Sequence, residues 1–267
     1  MIQHNFYTSG KKFLEELGDS NIMMNYVSKS FVTTNAAMLG GFPSDFALHV
    51  YSDADETVAI HHGTYPMFIA GSAFLADELT AAMREHDVYI DEVFGATHLV
   101  DVFRRSWEHK DILRKDMRVM ERQKNSSAIK SYDIRWAEPS DMQALIPLVE
   151  RFFDATGEEL HGEDIPTVVA KRIPHMMVAI YKGEVSCCAH WARDTKDACC
   201  ISGVVTKRGL TGRGLAASTV SALADHLQTK GRTPYLFVDA HNERAAHAYA
   251  IAGFVPTSNY SKIKFIY

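Results

Sequence analysis

TGRGLAAST, residues 211–219, alternates two glycines with an arginine and then passes into helix-forming residues. A helix entrance leaves about four backbone N–H groups unpaired and carries a positive partial charge. Glycine lets an anion's oxygen approach those N–H groups closely. The stretch is therefore chemically suited to a diphosphate. Its surroundings read as alternating strand and helix. ACCISGVVT (198–206) is strand text. The helix is expected over 212–230, with Ala216, Val220, Leu223 and Leu227 on one face and Gly231 as its stop. YLFVDA (235–240) reads as a strand, and Asn242 caps a helix running to about Ala252, where Gly253 ends it. SKIKFIY (261–267) closes as a strand.

Three nucleotide-binding patterns compete for this turn. A P-loop needs GxxxxGK[ST], and no Lys-Ser or Lys-Thr follows Gly214. A dinucleotide fingerprint fits better, because Gly212, Gly214 and Ala217 match GxGxxA and Asp239 ends the next strand. Its glycines, however, should follow their strand almost at once, and here TKRGLT intervenes. Too little chain follows Asp239 for the further βα units such a fold requires.

The third pattern accounts for the whole context. The strand, TKRGLTGRGLA and helix, followed by NERAAHAYAIAGF (242–254), resemble the GNAT superfamily of N-acetyltransferases. The second segment is similar to that family's N-x-x-(A/S)-x-x-x-Y-x-x-x-G-F signature, and IRWAEPSD (134–141) to its opening strand and helix start. The resemblance covers about 131–267.

It implies that acetyl-CoA wedges between two splayed parallel strands. Its pantetheine would pair with the strand end Val204-Val205-Thr206. Its pyrophosphate would lie on the amides of Thr211, Gly212, Arg213, Gly214, Leu215 and Ala216. Asn242 matches the family asparagine that bonds the pantetheine arm, and equally serves as a plain helix cap. Tyr249 matches the tyrosine that protonates the leaving thiolate. One departure is clear: the usual Arg or Gln of the pyrophosphate loop falls on Thr211 or Gly209, and Arg208 is out of register. That predicts weaker cofactor binding, helped by Arg213 or Arg208. The base is open among His190, Asp239 and His241. The acidic loop EELHGED (158–164) is either solvated or attracts a cationic amine.

The preceding text of this half gives a helix from a Ser140/Gln143 capping box, with Pro147 inside it and expected to kink it, and with Leu145, Leu148 and Phe152 on its apolar face. A hairpin follows, turning at Lys182-Gly183. The first half repeats this order faintly. ALHVYSDADETVAIHH (47–62) mirrors the hairpin, MFIAG (67–71) the strand, FLADELTAAMREH (74–86) the long helix, and VYIDEVFGATHLVDVFRRSW (88–107) the strand and helix after it. Gly71-Ser72-Ala73 is all that remains of the glycine turn, and Ser72, Phe74 and Phe103 occupy the stretches comparable to Gly212, Gly214 and Tyr249.

The expected fold class is therefore α/β (α+β): tandem GNAT-like domains, each a mixed twisted sheet flanked by helices. Polar KNSSAIKSYD (124–133) is the linker candidate, dividing a degenerate domain 1–125 from an acetyl-CoA-binding domain 126–267.

Composition narrows the partners. With 28 Lys+Arg against 33 Asp+Glu, net charge is −5, which argues against nucleic acid or an anionic membrane. No apolar run is long enough to span a bilayer and the start has no apolar signal core, so the cytoplasm is the default. Cys187-Cys188 and Cys199-Cys200 lie in strand text, where neighbours point to opposite faces, so no metal site is expected. The resulting expectation is an N-acetyltransferase moving acetyl from acetyl-CoA to a primary amine of a small-molecule or amino-acid-like acceptor by direct attack. A non-catalytic acyl-CoA-binding sensor or scaffold of the same fold is the alternative. Homodimer formation is left open.

Overall fold

The computed structural model describes residues 1–124 and 132–266. Most of the expected linker at 124–133 lies outside the described residues. The chain forms two compact units, 1–117 with 258–267, and 118–257. The sequence reading expected two contiguous domains. It missed that the last ten residues return to the first unit.

Unit 1 begins with β1 (Gln3–Tyr7), α1 (Gly10–Leu17), α2 (Asn21–Met24) and α3 (Tyr26–Ala36). The meander β2 (Phe46–Tyr51), β3 (Glu56–His61) and β4 (Met67–Gly71) follows. Then come α4 (Ala76–Glu85), β5 (Glu92–Ala96), α5 (Thr97–Trp107) and the start of β6 (Lys110–Arg122). Strands β1 to β4 pair antiparallel in order, and β4 pairs β5 in parallel. The C-terminal segment then adds antiparallel to β5, with Tyr260 opposite Ala96 and Lys264 opposite Glu92. α4 and α5 bury Leu79, Met83, Leu99 and Phe103 against Leu48, Ile69, Val93 and Ile263. Each such side chain contributes about 1.5–3 kcal/mol on leaving water, so the returning strand, through Ile263 and Phe265, is part of this core.

Unit 2 repeats the order with β7 (Asp133–Trp136), α6 (Met142–Thr156), α7 (Ile165–Arg172), β8 (Met176–Tyr181), β9 (Glu184–Ala192), β10 (Ala198–Thr206), α8 (Leu215–Thr229), β11 (Thr233–Asp239), α9 (Glu243–Ile251) and the start of β12 (Phe254–Ile266). Strands β7 to β10 pair antiparallel in order, and β10 pairs β11 in parallel. The β8–β9 hairpin turns at Lys182-Gly183, both at positive φ (54° and 79°), as expected. One face of the sheet carries α8 and α9, with Val220 and Leu223 of α8 and Ala246 of α9 over Ile201, Leu236 and Val238. The other carries α6 and α7 over Val178, Cys188 and Val205.

Two local expectations change. The capping box before α6 is formed by Glu138 and Asp141, not Ser140 and Gln143. Pro139 opens a 3₁₀ turn there, so the reciprocal bonds close two residues earlier. α8 begins at Leu215, not 212, because Gly212 and Gly214 both sit at φ 81°, outside the helical region. The four cysteines are buried and free on β9 and β10, as their strand text implied.

Candidate active site

In unit 2 the parallel pairing of β10 and β11 runs from Ala198↔Thr233 to Ile201↔Leu236 and then stops. Beyond it β10 follows β9, with Val205 opposite Cys188 and Thr206 opposite Cys187. Val204, Val205 and Thr206 thus lie where β10 has parted from β11, with that flank carrying no ladder partner from β11 among the described residues. Diverging parallel strands are where ligands enter open α/β sheets, at the carboxyl ends.

The parting coincides with an irregularity. The β9–β10 register shifts between Ser202 and Val205, and Gly203 within it has φ +61°. The isolated glycine in ISGVV was the sequence signal for this bulge. His190, opposite Ser202, packs its ring on Gly203. It is 5% exposed, and its Nδ1 has no hydrogen-bond partner among the described residues. Burial, then the charges of Arg172, Arg193 and His175, hold its pKa well below the usual imidazole value, so the ring is neutral at pH 7.

Directly after β10 the loop 207–214 bends through three glycines in the left-handed region: Gly209 (φ 79°), Gly212 (φ 81°) and Gly214 (φ 81°). Among the described residues, a Cβ on any of them would meet nothing within 4 Å. Space beside these amides is therefore open. Gly214 is the N-cap of α8 and supplies no side-chain cap, and among the described residues no side-chain acceptor for the first-turn N–H groups of Leu215 and Ala216 takes its place. No acidic residue lies in this first turn. Thr211 is exposed and brings no charge. Arg213 stacks 5.7 Å from the Tyr181 ring centroid and donates from Nη1 to the Tyr181 hydroxyl at 3.4 Å. Tyr132 donates to the Arg213 carbonyl.

The other expected residues separate into two groups. Tyr249, on α9, is buried at 8% exposure, and burial raises its pKa above the usual phenol value. Asn242 is a cap, its Oδ1 accepting from the Ala245 N–H at 3.0 Å. Its amide nitrogen is left for other partners. Asp239 accepts from the His241 N–H at 2.8 Å, and His241 is exposed. Of the three candidate bases, His190 alone is buried beside the bulge. In the loop 158–164, Glu163 pairs with Lys171 and Asp164 caps α7, so two of its acids serve local structure. Among the described residues no group of His, Cys, Asp and Glu is arranged to hold a metal ion.

Unit 2 is a β-α-α-β-β-β-α-β-α-β construction with a parting between its fourth and fifth strands, and unit 1 has the same strand order and the same parting with one more helix between its first two strands. Residues 177–262 match the FR47-like protein family. An acetyltransferase of the GNAT family from Colwellia psychrerythraea superposes with a TM-score of 0.60 at 12% identity, each chain fully covered. The chain has a tandem GNAT fold. A tandem GNAT protein from the clavulanic acid biosynthesis pathway gives a TM-score of 0.58 at 11% identity, with 98% of both chains covered. A GCN5-related N-acetyltransferase from Sphaerobacter thermophilus gives 0.56 at 14%, covering 98% of this chain and 94% of the other. No curated protein matches the chain. No helix among the described residues is long and apolar enough to cross a membrane.

Proposed function

We propose that this protein is an acetyl-CoA-dependent N-acetyltransferase acting on a primary amine of a small or amino-acid-like acceptor, with its cofactor site in unit 2. The observation that carries this reading is the joining of the β10/β11 parting to an uncapped helix entrance by a loop of three left-handed glycines. Val204, Val205 and Thr206 would pair with the pantetheine arm as an added strand. The amides of Thr211 to Ala216 would hold the pyrophosphate, and the Asn242 amide would bond the arm. The amine attacks the thioester carbon directly. Tyr249 gives its proton to the departing thiolate; the nitrogen sheds one proton to solvent as the amide forms, and the phenol is reprotonated from solvent, so the protons balance. Acetyl-CoA is the only cosubstrate, and the protein needs no metal and acts as a soluble, cytoplasmic enzyme on this reading.

One observation supports a second reading, an acyl-CoA-binding sensor. Thr211 stands where a charged or amide side chain is expected, and Arg213 is engaged by Tyr181. Thiol release from acetyl-CoA against a panel of amines separates the two. Acceptor-dependent release supports the enzyme. Saturable acetyl-CoA binding without release across the panel supports the sensor.

A further inference from the structure

Unit 1 contains the same parting of parallel strands, dressed with different chemistry. β4 and β5 pair over Met67↔Val93, Phe68↔Phe94 and Ile69↔Gly95. Beyond this Ala70 and Gly71 follow β3, while Ala96 faces Tyr260. A cavity of about 280 Å³ opens between them, bounded by Ala70, Gly71, Ser72, Ala96 and Tyr260. A single water needs only about 10–15 Å³ on this measure, so the space is sized for a small molecule.

Three features disfavour an anion. The turn after β4 has a serine in place of the glycine loop, and Ser72 already accepts from the Phe74 N–H through Oγ and from the Leu75 N–H through its carbonyl. Asp77 and Glu78 occupy the first turn of α4, opposing any phosphate at that helix entrance. Among the described residues, those lining the cavity include Asp55, Glu56 and His98, and no Lys or Arg.

The two carboxylates are set differently. Glu56 is held in place, Oε1 accepting from the Asn21 N–H at 2.7 Å and Oε2 lying 3.2 Å from His49 Nε2. The Asp55 carboxylate is half-buried and has no hydrogen-bond partner among the described residues. Asn21 and Asn25 add neutral polar lining, and Ile22 and Ile69 an apolar floor. Concave spaces with a few convergent polar groups over apolar walls are the usual form of small-ligand sites.

We propose that the β4/β5 crevice of unit 1 binds a small primary ammonium compound, its charge set against Asp55 and Glu56. The site is separate from the cofactor cleft of unit 2 and does not depend on acetyl transfer.

Isothermal titration of the full chain with putrescine and with ethanolamine tests this, sodium pyrophosphate serving as the opposite charge. Binding of at least one amine is expected, weakening with salt. Asp55→Asn with Glu56→Gln should weaken it at least about tenfold. Ala96→Leu, which fills the crevice, should abolish it, and Gly214→Val, in unit 2, should leave it unchanged. Should Glu56→Gln fail to fold, Asp55→Asn alone decides, since that carboxylate has no protein partner to lose. No heat from either amine at about millimolar concentration overturns the proposal, as does binding indifferent to the acid variants. Pyrophosphate binding that Ala96→Leu removes also overturns it.

Discussion

The imidazole of His190 occupies the place a side chain at Gly203 would take: a Cβ built on Gly203 would lie 2.3 Å from His190 Nδ1 and 2.4 Å from Cε1. The two residues sit on neighbouring strands, and the ring is 5% exposed, so it has nowhere to withdraw.

This pairing predicts an unequal response to the same substitution at two glycines. Gly203 and Gly157 have similar backbone angles, φ +61° and +65°, but nothing lies within 4 Å of a Cβ at Gly157. Alanine at Gly157 therefore carries the left-handed backbone cost alone, about 1–2 kcal/mol. Alanine at Gly203 adds the clash with the buried ring, for a further 1–3 kcal/mol, roughly. Chemical denaturation of both variants measures the difference. Equal losses would show that His190 moves aside freely.

Burial of His190 also sets a pH dependence. The unfolded imidazole titrates near its usual value of about 6.5, and the folded ring well below it. Between those values the unfolded chain binds a proton that the folded chain does not. Stability therefore rises with pH through this window and falls as the solution is acidified below about 6.5, by at most about 1.4 kcal/mol per pH unit for one group. His49 and His61, also depressed by burial, act in the same direction. Melting of His190→Gln should show a shallower fall from neutral pH to pH 5 than wild type. An NMR titration showing His190 protonating near 6.5 in the folded protein would contradict this.

The helices and strands of unit 2 were legible because period, caps and breakers agreed. Asn242 caps α9 as its sequence position implied, and Val220, Leu223 and Leu227 form the buried stripe of α8. The fate of SKIKFIY was not legible. A strand alternating Ile263 and Phe265 with Lys262 and Lys264 declares one apolar face but not which sheet receives it, and it joins β5 of unit 1. The bulge had a signal in Gly203, whereas His190 had none, since nothing in one sequence says that a histidine will lie opposite a glycine. Of the candidate site, residues adjacent along the chain were readable. The unit 1 crevice, assembled from α2, α3, β3, β4, β5, α5 and β12, was not.

Gly214 offers a test in which binding and folding separate. At φ 81° valine is strained, costing about 1–2 kcal/mol, more than helix propensity alone implies. Its Cβ would meet no atom of the described residues within 4 Å, so the fold should survive with a lowered melting temperature. The side chain would instead fill the open space beside the α8 amides. Acetyl-CoA affinity in calorimetry should fall at least about tenfold, the equivalent of 1.4 kcal/mol. Gly214→Ala should show an intermediate loss. Unchanged affinity in folded Gly214→Val would reduce the loop to a turn.

Tyr249→Phe tests the proposed acid. The ring packs in the core of unit 2 with Val220, Leu223 and Phe254, and phenylalanine preserves those contacts. Stability should therefore change little. The hydroxyl is a different matter. Burial, with smaller contributions from Cys187 and Cys200, raises its pKa above the usual value near 10. The phenol thus stays protonated throughout the pH range of a folded protein, which an acid awaiting a leaving group requires. The same shift makes its proton harder to surrender, so transfer must accompany C–S cleavage, when negative charge is building on sulfur beside it. An interaction made only at that stage affects turnover and not ground-state binding. The expected result is a kcat lowered by roughly 10²–10⁴ with the KM for acetyl-CoA nearly unchanged. A raised KM at constant kcat would instead make Tyr249 a cofactor-orienting residue. Activity within a few fold of wild type on both parameters would leave it a core side chain, remove it from the mechanism, and shift weight to the sensor reading.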